Sequence, residues 1–268
     1  MGNRIKVAAI QMNCLMTGKG DNLKLAADLI ERAGQAGAKI IVLPELFSTA
    51  YRVEERDYAL SEPIPGPTTD WMQSWCKKYD AYLMGAIIER GDVDGVLYDT
   101  AVLVGPQGVI GKYRKIFLWG PEALRFSRGT EYPVFDLGFA KVGMQICYEV
   151  GFPEGARFLG LQGADILLYT AAFGLKRVYA WDIATRARAL ENGAFLIAAD
   201  RSGIEKGETD FAAKSRIVDP QGTVLAEAQE DNDVIVSEID LGQIAPQRMG
   251  LPYLRDYNRT LIARQFAK

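Results

Sequence analysis

Histidine is missing altogether from the 268 residues. Its absence excludes Ser-His-Asp and Cys-His catalysis and any His-ligated metal centre, so a nucleophile in this chain must be activated by a carboxylate or an amine. Cysteine is scarce: Cys14, Cys76 and Cys147 are odd in number and far apart. That excludes a disulfide scaffold or a zinc site, offers no resolving thiol for redox chemistry, and suits a reducing, cytoplasmic compartment. Long hydrophobic runs are also lacking. The longest uncharged stretches, Val7–Gly18 and Thr100–Gly111, span 12 residues, short of the roughly 18 that a transmembrane helix needs. The first of them is broken by Gln11 and Asn13 and carries no small-residue cleavage site, so it reads as a strand and not a signal peptide. No clustered basic face exists: 31 Lys+Arg against 34 Asp+Glu leave a net charge of −3, which argues against a nucleic-acid partner. Walker and dinucleotide motifs and the GxSxG elbow are absent too.

The residues present describe an ordinary globular chain, with 49% hydrophobic and 24% charged residues and no linker or repeat, hence one domain. The patterning predicts strands over 4–12, 39–44, 82–90, 97–105, 109–116, 141–148, 165–173 and 194–200. Hairpin-like pieces follow over 214–219, 223–228 and 233–239. Helices are expected over 21–36 behind an Asp21 cap, over 67–80, from about Pro153, and over 177–192. Helix-linked strands alternating with hairpins imply an α/β fold with more than one layer. Periodicity alone leaves a four-layer sandwich and a wide doubly wound sheet both open.

Three residues fall where strands end, the place where open α/β sheets put their sites. Glu45 directly follows the apolar run IIVLP, a costly position for an idle carboxylate. Lys115 closes GVIGKYRK. Cys147 ends KVGMQIC and enters a strand–turn–helix element like a nucleophile elbow. A lysine ammonium and a helix N-terminus beside Cys147 predict a lowered thiol pKa, with a glutamate as the natural base. Lys112 and Arg114 read as solvated charges, Cys14 and Cys76 as packing residues, and Glu149 and Arg186–Glu191 as structural pairs.

The segments IIVLPELFSTAY, GKYRKIFLW and VGMQICYEVGFPEGAR resemble the three motifs of the nitrilase superfamily, the carbon–nitrogen hydrolases. AAIQM, GPEALRFSRG, GADILLYTAAF, WDIATRARALENGAFLIAADRSG, KSRIVDPQG and VSEIDL extend the resemblance over residues 1–240, with 241–268 as a tail. The resemblance implies a four-layer αββα sandwich in which Glu45 is the general base, Lys115 stabilises the tetrahedral intermediate and Cys147 is the nucleophile. Glu122 matches a second glutamate that orients the lysine or the substrate. Tyr51, Trp119, Tyr148 and Phe173 adjoin these motifs as candidate substrate-binding residues, and the backbone N–H of Tyr148 as an oxyanion donor.

The implied activity is hydrolysis of a linear, non-peptide amide to acid and ammonia through a thioester. Nitrile and N-carbamoyl amine hydrolysis are the alternatives, and an inactive binding scaffold is the non-enzyme alternative. Cys147-Tyr148-Glu149 is closer to the amidase members than to the Cys-Trp-Glu of true nitrilases. Two positions depart from the family pattern: Thr170 where proline is common and Asp200 where asparagine is. No metal or other cofactor is implied, and no membrane partner. The tail is expected to make contacts in a homodimer or higher assembly.

Overall fold

The structure, a computed structural model, describes residues 4–266. Fourteen strands are present among them. The first five are β1 (Arg4–Gln11), β2 (Ile40–Val42), β3 (Tyr82–Arg90), β4 (Leu97–Gly105) and β5 (Gly108–Arg114). Then come β6 (Val134–Asp136), β7 (Lys141–Ile146), β8 (Ile166–Ala171) and β9 (Phe195–Asp200). The last five are β10 (Ile204–Glu205), β11 (Thr209–Asp210), β12 (Arg216–Val218), β13 (Val224–Glu227) and β14 (Asp233–Asp240). One six-stranded sheet runs β14-β1-β2-β3-β4-β5 and the other β13-β12-β9-β8-β7-β6, while β10 and β11 form a small hairpin.

The side-chain alternation of the strands decides the layering. Val7, Ala9, Ile40, Val42, Met84, Ala101 and Leu103 turn inward and join Val142, Met144, Ile166 and Leu168 of the other sheet in one core. Their neighbours Ala8, Ile10, Ile41, Leu83, Val102 and Val104 turn outward, onto Leu29, Ile30, Met72 and Cys76 of the helices Lys19–Gln35 and Pro67–Tyr79. Helices Pro153–Leu161 and Val178–Asn192 bury Leu159, Trp181 and Ala189 against the second sheet. Two sheets face to face between two helical layers are the αββα sandwich in a single domain, and the doubly wound alternative is excluded.

Most element boundaries fall within a few residues of the pattern. The first helix begins at Lys19, with Gly18 as its capping residue, so Asp21 lies inside the first turn, where it accepts a bond from the Thr17 hydroxyl instead of capping. β5 stops at Arg114 and β8 at Ala171, which leaves Lys115 and Phe173 just beyond strand ends. The tail forms short helices over Ile244–Gly250, Tyr253–Asp256 and Arg259–Phe266; its last two residues lie outside the described ones. No helix among the described residues is long and apolar enough to cross a membrane.

Candidate active site

The ends of β2, β5, β7 and β8 meet at one point. Glu45 leaves β2 after Pro44; its N–H donates to the Ala171 carbonyl at 3.3 Å, and its Oε2 accepts the Ala172 N–H at 2.7 Å. The carboxylate is thereby fixed across both sheets. Thr170, one of the two departures noted above, makes the same joint firmer by donating its hydroxyl to the Leu43 carbonyl at 2.8 Å. Asp200, the other, accepts the Phe173 N–H at 2.8 Å and so shapes the adjoining loop.

Lys115 is wholly buried. Its Nζ donates to Glu45 Oε1 at 2.6 Å and to Glu122 at 2.8–2.9 Å, with Asp99 Oδ2 further off at 3.6 Å. Glu122 also accepts the Tyr51 hydroxyl at 2.6 Å and the Trp119 N–H at 2.8 Å, so it sits as a bracket that aims the ammonium. Carboxylate oxygens of Glu45, Asp99 and Glu122 all lie within 4.8 Å of one another. That spacing could cup a cation, and the Lys115 ammonium fills the role.

Cys147 follows β7 directly and has φ +48°, left-handed backbone that a non-glycine residue adopts only at a cost of about 1–3 kcal/mol. Leu46 (φ 50°) and Ala50 (φ 74°) share this strain in the loop after Glu45. Strain concentrated at the meeting of these loops fits a site where position outranks comfort. The Cys147 thiol lies close enough to Glu45 and Lys115 to feel both charges, and Ala172, whose N–H binds Glu45, lines the cleft beside it.

The electrostatics correct one expectation. Burial pushes the Cys147 thiol well above its usual range, the Glu45 charge adds to this, and Lys115 only partly opposes it. A resting thiolate is therefore disfavoured, and chemistry at the sulfur would need an acceptor for its proton. Glu45 is suited to be that acceptor. Burial alone would raise its pKa, but the Lys115 charge outweighs that together with hydrogen bonds from Asp99, Lys115 and Cys147, and the carboxyl stays below the ordinary range. Cys14 and Cys76 are simply buried, which lifts them to about 11 and about 12.

Tyr51, Trp119, Tyr148 and Phe173 line the narrow cleft above Cys147 together with Ala172, Gly174, Arg177 and Thr209. The cleft leaves about 50 Å³ of free space beside the sulfur. It opens past Tyr51, Trp119, Gly174, Arg177 and Thr209 into an outer chamber of about 400 Å³. The Arg177 guanidinium stands 4.3 Å from the Trp119 ring centroid.

Three residues were not singled out by the motifs. Asp99 is buried beside Lys115. Arg177 sits where the two chambers join, in a Lys-Arg pair that looks like any exposed turn. Glu149, expected only to make a structural pair, accepts from the Tyr113 hydroxyl at 2.6 Å and from the N–H groups of Ile116, Phe117 and Ile146 at 2.9–3.1 Å. It thereby clamps the chain on either side of Lys115 and Cys147. Lys112 and Arg114 are not merely solvated: both bind Glu89, which is only 2% exposed.

The comparisons with known proteins place this fold in a class, the hydrolases of carbon–nitrogen bonds. The sequence model of the carbon-nitrogen hydrolase family matches residues 6–249, and the chain belongs to that family. It is similar to a nitrilase of Pyrococcus abyssi, 42% identical over 251 residues that cover 91% of this chain and 93% of that one. It is also similar to omega-amidase NIT2-A of Xenopus laevis, 37% identical over 255 residues and 91% of each chain. Among solved structures, a carbon-nitrogen hydrolase from Helicobacter pylori superposes with a TM-score of 0.92 at 25% identity, covering 100% of this chain and 99% of that one.

Proposed function

We propose that the protein hydrolyses a small linear amide to the carboxylic acid and ammonia. The observation that carries this reading is the buried Glu45 carboxylate, held by the Lys115 ammonium at 2.6 Å and by the Ala172 N–H at 2.7 Å, beside the Cys147 thiol. As the sulfur attacks the amide carbon, its proton passes to Glu45. The developing oxyanion is held by the remaining Lys115 N–H and by the Tyr148 amide. Glu45 then gives the proton to the leaving nitrogen, the C–N bond breaks, and ammonia departs from a thioester. Water delivers a proton to Glu45 as it attacks that thioester. Collapse of the second intermediate returns the proton to sulfur and frees the acid. Glu122 takes an orienting role, since its acceptor sites are committed to Lys115, Tyr51 and Trp119.

The shape of the cleft narrows the substrate. Space for little more than one or two water molecules, at about 30 Å³ each, suits a slender group at the sulfur. Arg177, with no carboxylate partner among the described residues, suits an anion at the far end. A short amide that ends in a carboxylate meets both conditions, and the omega-amidase relative supports it. The nitrilase relative supports a nitrile as the second reading. Exposed Tyr179 and Ile183, one turn apart on the helix Val178–Asn192, together with the tail, favour a homodimer or higher assembly.

Ammonia release from carboxylate-ended amides, neutral amides, matched nitriles and N-carbamoyl amines tests the reading. Wild type should prefer the carboxylate-ended amides, Cys147→Ala should lose at least about 10³-fold, and Arg177→Gln should raise KM for the anionic amides by about tenfold. Release from nitriles or carbamoyl amines alone would replace the substrate class. Turnover that survives in Cys147→Ala, or silence across the panel, would overturn the mechanism.

A further inference from the structure

The buried cluster holds three carboxyl groups and one ammonium. With all four ionised it would carry two uncompensated negative charges among groups almost wholly shielded from solvent, which proteins avoid by keeping a proton. The hydrogen bonding sets one of the three acids apart. Glu45 and Glu122 are satisfied by Lys115 and by the N–H and O–H groups named above, whereas both carboxyl oxygens of Asp99, a wholly buried residue, find no donor. A carboxylate without donors in such a place is untenable; a carboxylic acid needs none on its carbonyl side and has one hydrogen to give.

We propose that Asp99 is a carboxylic acid in the working enzyme and acts as a positioning residue for Glu45, donating its proton into a hydrogen bond with that carboxylate. The inference rests on reading Glu45 as the base. Asp99 lies in β4 opposite Ile88, and its carbonyl accepts the Lys115 N–H at 2.9 Å, so backbone pairing fixes it beside the lysine. The charged groups that face it are Glu45 from the loop after β2, Lys115 from the end of β5 and Glu122 from the turn Gly120–Leu124. Its neighbour Thr100 turns away, to Glu89. Burial, and after it the Glu45 charge, push the Asp99 carboxyl well above the usual range, while its bond to Glu45 helps to hold Glu45 below it. With the proton parked on Asp99, Glu45 is the one acid of the cluster free to change charge during turnover.

The test compares Asp99→Leu, which removes the donor, with Asp99→Asn, which keeps one. Iodoacetamide serves as probe because it needs no knowledge of the substrate: its carbon bonds to the Cys147 sulfur, iodide leaves and the thiol proton passes to Glu45. Peptide mapping assigns the adduct. Asp99→Leu should move the acid limb of the alkylation rate upward by about one pH unit, and Asp99→Asn should return it to within about 0.3 unit of wild type. Infrared difference spectra of wild type against Asp99→Asn at neutral pH should show the carbonyl stretch of a carboxylic acid in the wild type alone. Absence of that band, or an acid limb that Asp99→Asn drives downward by a unit or more, would overturn the proposal, because either means that a negative charge resides at Asp99. If Asp99→Leu does not fold, the asparagine variant and the infrared band still decide. The spectra do not depend on catalysis, so this inference and the amidase reading can fail separately.

Discussion

Two charge clusters lie back to back across β4 and the end of β5, built from residues adjacent in sequence. On one face Thr100, Lys112 and Arg114 surround a single carboxylate, Glu89. On the other, Asp99 and Lys115 belong to a group in which three acids share one ammonium. The first has cations in excess, and Lys112 and Arg114 are partly exposed, 37% and 29% by side chain. It has the composition of a structural network: the acid is held low by Arg114 and Lys112 despite burial. The second is fully buried, short of cations and short of donors. Stability alone would never favour that arrangement, since buried ions cost more to desolvate than an imperfect pairing returns. The proposed function gives such a cluster its reason, as a device for holding a base ready, and the contrast with its neighbour singles it out without recourse to motifs.

Removing the central cation should break the contrast most severely. Lys115→Met is expected to lose at least about 10³-fold in ammonia release and about 3–5 kcal/mol of stability by urea denaturation, since three buried acids would face one another. Arg114→Met should cost the outer cluster about 1–2 kcal/mol and leave kcat/KM within about threefold. Equal losses from both variants would show that the two faces are one functional unit.

The last effect, read in stability alone, concerns Asp200, an acid outside both clusters that burial raises to about 7, against the pull of the Phe173 and Lys214 N–H groups. An unfolded aspartate titrates near about 3.9, so the folded state keeps this proton longer. Its contribution to stability is complete below about pH 4 and is lost as the pH rises to about 7. Asp200→Asn should therefore match wild type near pH 4 and exceed it at pH 8 by at most about 4 kcal/mol, read from urea denaturation at both pH values. A gain at pH 4 and none at pH 8 would reverse the assignment.

The inner cluster was legible in the sequence only in part. Glu45, Lys115 and Cys147 announce themselves because each ends an apolar run at a strand terminus, where a polar residue requires a reason. Asp99 sits inside a strand, and LYDTAVLVG gives no sign of which face it takes; only the pairing of β4 with β5 sets it beside Lys115. Lys112 and Arg114 looked solvated because their partner Glu89 lies in another strand, β3. The thiol was expected to be acidified by its cation and helix end. The thiol is buried and Glu45 is the charge that raises it most, and both features depend on long-range packing. Layer order was equally hidden, since period-two alternation describes a strand buried on two sides without saying what covers each side.

The β4–β5 ladder contains a register irregularity between Leu103 and Val104, near the hairpin end and away from Asp99 and Lys115. Beyond it the pairing is regular from Leu103 with Gly111 to Thr100 with Arg114. A shift of one residue along that stretch would turn every side chain to the opposite face. Asp99 and Lys115 would then exchange surroundings with Thr100 and Arg114, and the interior would receive the wrong set. Gain or loss of a single codon between Thr100 and Lys115 is thus a different kind of mutation from a substitution there. Length can vary at the turn around Asp94-Gly95, but through this pair of strands the gene must keep count.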